Sequence, residues 1–355
     1  MKVLTIVGAR PQFVKAAVVS EQIRQNAREV LVHTGQHYDL NMSDIFFQEL
    51  GIPTPDYHLG IGSGPHGAQT GKMLEAIEQV INEEQPDRLL IYGDTNSTLA
   101  GALAAAKLHV PIAHVEAGLR SFNRRMPEEV NRVVADHLAS WLFAPTQTAI
   151  TNLAAEGITK GVYRTGDVMY DAFLRMSKRV SSRSRILDTL RLRPKEYYLL
   201  TLHRAENTDD REKLQAILGT LAEVKRPVIF PIHPRTRSKL SEYGLSFLNQ
   251  SIQFVEPVGY FDMLNLELNA EIILTDSGGV QKEAYMAKTP CITLRDETEW
   301  VETVTAHWNC LVGSDPVKIR EALALGWLGS DYPDLFGDGA AAAQIAKIVD
   351  DSFSK

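Results

Sequence analysis

The feature that most constrains this chain is a rhythm. Short runs of β-branched and apolar residues recur along its 355 residues, each followed by a longer polar-apolar segment. Val3–Val7, Val30–His33, Leu89–Tyr92, Pro111–Val115 and Leu142–Pro145 form the first series. Tyr197–Leu202 restarts it, and Val228–Ile232, Ile252–Val255, Ile272–Thr275 and Cys291–Leu294 continue it. Runs this short and this apolar read as strands covered on both faces, the condition of a parallel sheet with helices on either side. The intervening patterns, such as Gln69–Glu83 and Thr98–Leu108, have helical spacing. The alternation predicts an α/β fold of doubly wound, Rossmann-like parallel sheets.

A chain of this length exceeds what one hydrophobic core usually supports, so two domains are expected. The rhythm pauses between residues 165 and 195, at TGDVMYDA and the basic, Ser-rich SKRVSSRSR. That places a first domain at 1–167 and a second at 168–338. A last helix, about 339–355, is a candidate to pack back on the first domain. The formal net charge of −7 argues against a general nucleic-acid surface, which needs a basic excess. It leaves room for a local anion pocket. Cys291 and Cys310 sit in apolar runs, PCITL and WNCLVG, as buried free thiols would, and no Cys/His cluster suggests a metal. The opening MKVLTIVGARP is too short an apolar run for a signal peptide. No stretch approaches the roughly 20 apolar residues of a membrane helix. A soluble, cytoplasmic protein with no membrane or nucleic-acid partner is expected.

In open α/β sheets ligands bind beyond the carboxyl ends of the strands, so the residues just after each run carry the functional information. After the first run stands Gly8-Ala9-Arg10-Pro11-Gln12, then a helix holding Lys15. Gly8 permits a tight turn, Pro11 suits a helix start, and Arg10 and Lys15 can face an anion there. The turn is not the GxGxxG dinucleotide fingerprint. Gly93-Asp94-Thr95-Asn96-Ser97-Thr98 follows Leu89–Tyr92. Helix capping by Asn96 or Ser97 accounts for part of it but not for Asp94. His114 precedes Glu116-Ala117-Gly118-Leu119-Arg120, and Glu128 and Glu129 follow Pro127. Acidic residues in a first helical turn complement the dipole. That explains either glutamate alone, but not three carboxylates, Asp94, Glu116 and Glu128, at neighbouring strand ends. Such crowding should raise at least one pKa and suits acid–base chemistry.

The second half repeats the pattern. Thr201-Leu202-His203-Arg204-Ala205-Glu206-Asn207 follows one run, and Phe230-Pro231-Ile232-His233-Pro234-Arg235 the next. His203 is either a structural histidine or an acid or anion contact. His233 and Arg235 add cationic capacity. Asp276-Ser277-Gly278-Gly279 opens a helix with Gln281 and Glu283. Glycines after a serine expose backbone N–H groups to a phosphate, and Glu283 could hold a ribose. The alternative is a serine cap with glycines for close packing.

Taken together, GARPQ, TGQH, YGDTNST, HVEAGLR, MPEEVNR, LHRAEN and TDSGGVQKEA resemble the non-hydrolysing UDP-N-acetylglucosamine 2-epimerases, in that family's order and along nearly the whole chain. The resemblance implies the two-domain GT-B fold with an active-site cleft between the domains. It implies catalytic roles for Asp94, Glu116, Glu128 and His203. Arg10 and Lys15 then lie near the diphosphate, Ser277 and Gly278 form the phosphate turn with Gly279, Glu283 binds the ribose, and Gly259 and Tyr260 line the uracil pocket. Arg120, His233, Arg235 and Arg295 complete the substrate-binding set. The implied reaction is inversion of C2 of a UDP-2-acetamido sugar by a homodimer, with UDP eliminated to leave a glycal and then re-added. No metal or separate cofactor is implied, UDP being part of the substrate. A GT-B glycosyltransferase using a UDP-sugar donor is the alternative. Ser121–Met126 and Pro234–Arg237 depart from the common pattern and look more like the branch acting on UDP-2,3-diacetamido-2,3-dideoxyglucuronate. The C6 carboxylate of that sugar could pair with Arg124, Arg125, Arg235 or Arg237. Some members bind a second substrate molecule near TGQH. Gln36 and His37 are present here, but His66-Gly67-Ala68 lacks the arginine that goes with it.

Overall fold

The computed structural model describes residues 1–36, 51–245, 251–325 and 331–351. The chain forms two compact units. One comprises Met1–Leu174 and the stretch from Asp334 onward, the other Arg175–Pro333.

The first unit is built on a seven-stranded parallel sheet. Its strands are β1 (Lys2–Val7), β2 (Arg28–His33), β3 (Tyr57–His58), β4 (Arg88–Tyr92), β5 (Ile112–Val115), β6 (Trp141–Ala144) and β7 (Val162–Arg164). Their order in the sheet is β3-β2-β1-β4-β5-β6-β7. The second unit carries β8 (Tyr198–Thr201), β9 (Val228–Pro231), β10 (Ile252–Val255), β11 (Ile272–Thr275), β12 (Cys291–Thr293) and β13 (Asn309–Leu311). They lie in the order β10-β9-β8-β11-β12-β13 and are also parallel. In both sheets the strand order therefore reverses between neighbouring parallel strands, β1/β4 in the first and β8/β11 in the second. That reversal opens a crevice at the carboxyl ends of those strands.

The sequence rhythm located the central strands because they are apolar on both faces; β4 is buried at every residue. It found the edge strand β10 but passed over the other three edges. β3, β7 and β13 are two or three residues long, and β7 reads Val-Tyr-Arg with two exposed positions. An edge strand has one neighbour and needs no continuous apolar run.

Leu4, Ile6, Leu89 and Ile91 point to one face of the first sheet, where Met73, Ile77 and Val80 of the His66–Glu84 helix cover them. In the second unit Leu200, Phe230, Leu274 and Ile292 face Leu214, Ile217 and Leu221 of the Arg211–Ala222 helix. The opposite face packs Leu199, Ile229 and Ile273 on Leu266 and Ala284.

The chain returns to the first unit through a close backbone crossing. Asp167 N donates to the Phe336 carbonyl at 2.9 Å. Gly166 and Gly337 both have positive φ, and a Cβ on Gly166 would lie 2.8 Å from Phe336 O. The final helix, Ala341–Asp351, buries Ala341, Ala342, Ile345 and Val349. The Asp171 carboxylate accepts from its first N–H groups at 3.2 and 2.8 Å, and the Arg88 guanidinium donates to the Val349 carbonyl. Among the described residues no helix is long and apolar enough to cross a membrane.

Candidate active site

At the first reversal point the β1 turn is tied to the end of β4. The Gln12 Oε1 accepts from Gly8 N (2.8 Å) and Ala9 N (3.0 Å). Its Nε2 donates to the Tyr92 carbonyl (2.8 Å) and to Thr95 Oγ1 (3.0 Å). One buried amide thus fixes two strand ends. Gly8 is required by space, since a Cβ there would lie 2.1 Å from Thr34 Oγ1 and 2.2 Å from Ser97 Oγ. The Ser97 N–H and hydroxyl donate to Gln36 Oε1.

Gly93 turns the chain out of β4 with φ +59°. Beyond it, Asp94 meets Arg132, with Oδ2 2.5 Å from Nη2. Glu116, just after β5, pairs with Lys15 at 2.5 Å, both side chains over 90 % buried. A Cβ on Gly93 would sit 3.4 Å from Lys15 Nζ and 4.0 Å from Glu116 Oε1, so Lys15, Glu116 and the Gly93–Asp94 turn share one small region. Glu116 itself has φ +70°. A non-glycine residue there is strained and persists only where its surroundings over-determine it, a pattern that clusters at functional sites.

Glu128 stands in the first turn of the Pro127–Leu138 helix, half-buried and without an ion pair among the described residues. Arg132 lies four residues on and shares its helix face. Asn131 donates to the Asp94 carbonyl at 2.9 Å. Of the three carboxylates expected to crowd, Asp94 and Glu116 stand at the β4 and β5 strand ends, and Glu128 stands on the helix that carries Arg132. Two of them are met by cations, which offsets the mutual repulsion the sequence implied.

Beneath this group lies a buried charge network. His114 Nδ1 is 2.8 Å from Asp136 Oδ1, and its Nε2 is 2.7 Å from the Gly93 carbonyl. The Arg120 guanidinium donates to Asp136 Oδ2 (2.7 Å) and, through two nitrogens, to Glu156 (2.7 Å each). Burial pushes the Asp136 pKa up, but the bonds from His114 and Arg120 outweigh it and hold the carboxyl below its ordinary value. The structure thus places Arg120 inside the unit, committed to two acids, where it fixes the Glu116–Arg120 loop.

In the second unit Asp276, fully buried at the end of β11, organises the turn after β8. Its carboxylate accepts from His203 N (3.1 Å), Arg204 N (2.9 Å) and Asn207 Nδ2 (3.2 Å). His203 Nδ1 lies 3.3 Å from Asp276 Oδ1, leaving the ring 38 % exposed. Partial burial lowers the His203 pKa, with Arg204 and Arg235 adding repulsion and Asp276 opposing them. His233 caps the next helix, its Nδ1 accepting from Arg235 N (3.2 Å), and its ring is 5.6 Å from that of His203. The Arg235 guanidinium is held by both oxygens of Asp209 (2.7 and 2.6 Å), and Arg237 by Glu256 (2.7 Å).

Ser277 is the N-cap of the Gly278–Met286 helix, its hydroxyl accepting from Val280 N. A Cβ on Gly278 would be 3.4 Å from Trp300 Nε1, while one on Gly279 would meet only Ser277 Oγ at 3.8 Å. Both are ordinary van der Waals distances, so neither glycine is demanded by crowding and the two leave the backbone at the helix start open. Glu283 is buried on that helix and hydrogen-bonds Glu267, whose pKa burial raises well above its ordinary value. Gly259 precedes the Tyr260–Asn269 helix, and burial also raises the Tyr260 phenol. Arg295 is buried among acids, with Nε 3.0 Å from Glu206 and Nη1 3.1 Å from Glu299. Among the described residues no group of three His, Cys, Asp or Glu side chains is placed to hold a metal ion. The Arg10 side chain and His37 lie outside the described part of the structure.

The sequence profile described as UDP-N-acetylglucosamine 2-epimerase matches residues 21–350. The chain belongs to this epimerase family. It is 54 % identical to a UDP-N-acetylglucosamine 2-epimerase homolog of Methanococcus maripaludis, over 98 % of this chain and 99 % of that one. It is 51 % identical to the UDP-2,3-diacetamido-2,3-dideoxy-D-glucuronate 2-epimerase of Pseudomonas aeruginosa, with the same coverage. The crystal structure of the Methanocaldococcus jannaschii UDP-GlcNAc 2-epimerase, in complex with UDP-GlcNAc and UDP, superposes with a TM-score of 0.92. That protein is 45 % identical, and the match covers 98 % of this chain and 99 % of that one.

Reading strand ends alone missed the residues that hold these side chains and turns in place. Arg132 was legible in principle, four residues after Glu128 on a predicted helix. Asp136 was not, because its partners His114 and Arg120 are 22 and 16 residues away and meet it only through the fold. Asp276 stood in plain view beside Ser277, but its part as acceptor for the His203 turn needed β8 and β11 to be neighbours.

Proposed function

We propose that this protein is a non-hydrolysing epimerase that inverts C2 of a UDP-linked 2-acetamido sugar. The carrying observation is that Asp94 and Glu116 stand at the ends of β4 and β5, paired with Arg132 and Lys15, while Glu128 stands one turn before Arg132 on the same helix. The C2 hydrogen of such a sugar is not flanked by a carbonyl, so removing it alone is very unfavourable. Elimination solves this. A base takes the C2 proton as UDP leaves C1, giving a glycal, and UDP re-adds while a proton is delivered to the other face. The reaction needs an acid and a base on opposite faces and a stabilised diphosphate leaving group.

The carboxylates fit the first requirement. Glu128, half-exposed and unpaired among the described residues, is suited to carry a proton, and Asp94 and Glu116 are held in defined positions by their cations. The second unit supplies the grip on UDP in this reading. The Ser277–Gly279 helix start and His203 face the phosphates, Glu283 the ribose, and Gly259 and Tyr260 the base. Arg120 and Arg295, each buried among acids, position loops. Resemblance to the diacetamidoglucuronate enzyme, at 51 % identity, supports a sugar with an acidic C6 group. The protein is read as a cytoplasmic homodimer that adds no cofactor to the UDP of its substrate.

Turnover in deuterated water tests the mechanism, with deuterium expected at C2 of both epimers. Product without deuterium would overturn elimination. Asp94→Asn, Glu116→Gln and Glu128→Gln are each expected to lower kcat by about 100-fold or more, the usual scale of acid–base catalysis, with UDP affinity by calorimetry within threefold of the parent. Full activity in all three refutes the site. A glycosyltransferase, the other activity this fold hosts, would leave the UDP-sugar unchanged without an acceptor.

A further inference from the structure

The loop between Arg120 and the Glu128 helix has features that proton transfer does not use. Phe122 is 76 % exposed and has φ +59°. A bulky residue in the left-handed region is unfavourable and rare, and an aromatic ring turned to solvent there gains nothing from the core. The backbone is nonetheless held firmly. Buried Glu129 accepts from Ser121 N (2.9 Å), Ser121 Oγ (3.0 Å) and Phe122 N (2.9 Å). The same carboxylate is 3.2 Å from Arg132 Nη1, and Arg132 holds Asp94. Within the loop Ser121 Oγ accepts from Asn123 N and Asn123 Oδ1 from Arg125 N. A continuous run of hydrogen bonds and ion pairs thus links Phe122 through Glu129 and Arg132 to Asp94, tying the loop to that carboxylate.

Arg124 and Arg125 project from this fixed loop, exposed and without an ion pair among the described residues. Two other cations that an acidic sugar substituent could use are engaged, Arg235 by Asp209 and Arg237 by Glu256. An uncommitted guanidinium recognises a carboxylate bidentately without first breaking a pair.

Resting on the epimerase reading above, we propose that the Ser121–Arg125 loop is the specificity element for a carboxylate-bearing sugar. Phe122 forms a wall against the sugar ring, and Arg124 and Arg125 receive the C6 carboxylate. Glu129 and Arg132 are positioning residues that keep this wall in register with Asp94.

Steady-state kinetics with UDP-2,3-diacetamido-2,3-dideoxyglucuronate and with UDP-GlcNAc, which has a neutral C6, test the assignment. The parent enzyme is expected to prefer the uronate. An Arg124→Ala/Arg125→Ala double variant is expected to lose at least tenfold in kcat/KM for the uronate, mostly through KM. Its uronate-to-neutral ratio should fall by a similar factor. Phe122→Gly relieves the positive φ, so it should fold at least as well as the parent while raising KM for the uronate. An unchanged ratio in the double variant, a parent that prefers the neutral sugar, or a Phe122→Gly variant with parental KM each overturns the proposal while leaving the epimerase reading standing. Absence of turnover of both sugars by the parent would instead remove that reading, and this proposal with it.

Discussion

At the scale of single residues, the protein keeps its carboxyl groups in contrasting states by what it places beside them. Asp136 stays charged because His114 and Arg120 donate to it. Glu267 is pushed well above the ordinary carboxyl range by its burial and by the neighbouring carboxyl of Glu283. Two carboxyls cannot hydrogen-bond each other without a proton between them. The Glu267 pKa is raised above its ordinary 4.5 in the folded protein. Its contribution to stability is therefore complete below that ordinary value and is lost as pH rises through the folded value. Glu267→Gln keeps a donor and removes the titration. Urea midpoints of variant and parent should diverge in the variant's favour as pH rises above the ordinary value of 4.5. A constant gap across that range would show that Glu267 does not hold the proton.

At the scale of elements, function sits where strands end and helices begin, and glycines fix the geometry there. Gly118 illustrates this between β5 and Arg120. Its φ is +84°, and a Cβ would lie 2.5 Å from the Ala149 carbonyl, a backbone atom that cannot swing away. Its N–H donates to Asp136 Oδ2 and its carbonyl accepts from Asn152. Gly118→Ala should cost about 1–3 kcal/mol, the scale of a strained backbone position, and should disturb Glu116 two residues upstream. Denaturant unfolding together with kcat checks both effects. A variant as stable and as active as the parent would show that the loop tolerates movement. The Gly278–Met286 helix start is the counterpart in the second unit, where Ser277 caps the helix and Gly279 leaves the backbone open.

At the scale of the whole molecule, the chain builds one sheet, then a second, and returns to finish the first unit. Ile345, fully buried on the final helix, is the clearest reporter of that return. Ile345→Asp places a charge in an apolar contact and should cost about 4 kcal/mol or more, at the severe end of single substitutions. The damage should fall on the unit that owns the helix. Hydrogen exchange is expected to quicken in β1, β4 and β5 while β8, β9 and β11 stay as protected as in the parent. Equal quickening in both sheets would show that the helix supports the molecule as a whole.

The sequence by itself determined the class of fold and the addresses of the chemistry. Buried parallel strands must be apolar on both faces, so β1, β4, β8 and β11 announced themselves. Polar residues directly after such strands can only lie at a sheet's carboxyl edge, which brought out Asp94, Glu116, His203 and Ser277. Edge strands β3, β7 and β13 escaped because two or three residues are too few to leave a periodic mark, whereas the four-residue edge strand β10 was legible. Only the tertiary structure decided which charges meet. Lys15 finds Glu116, Arg132 finds Asp94, and Arg120 turns inward to Asp136 and Glu156. These pairings join residues 16 to 101 positions apart or depend on a side-chain direction set by packing, and nothing in the local pattern of a chain encodes either.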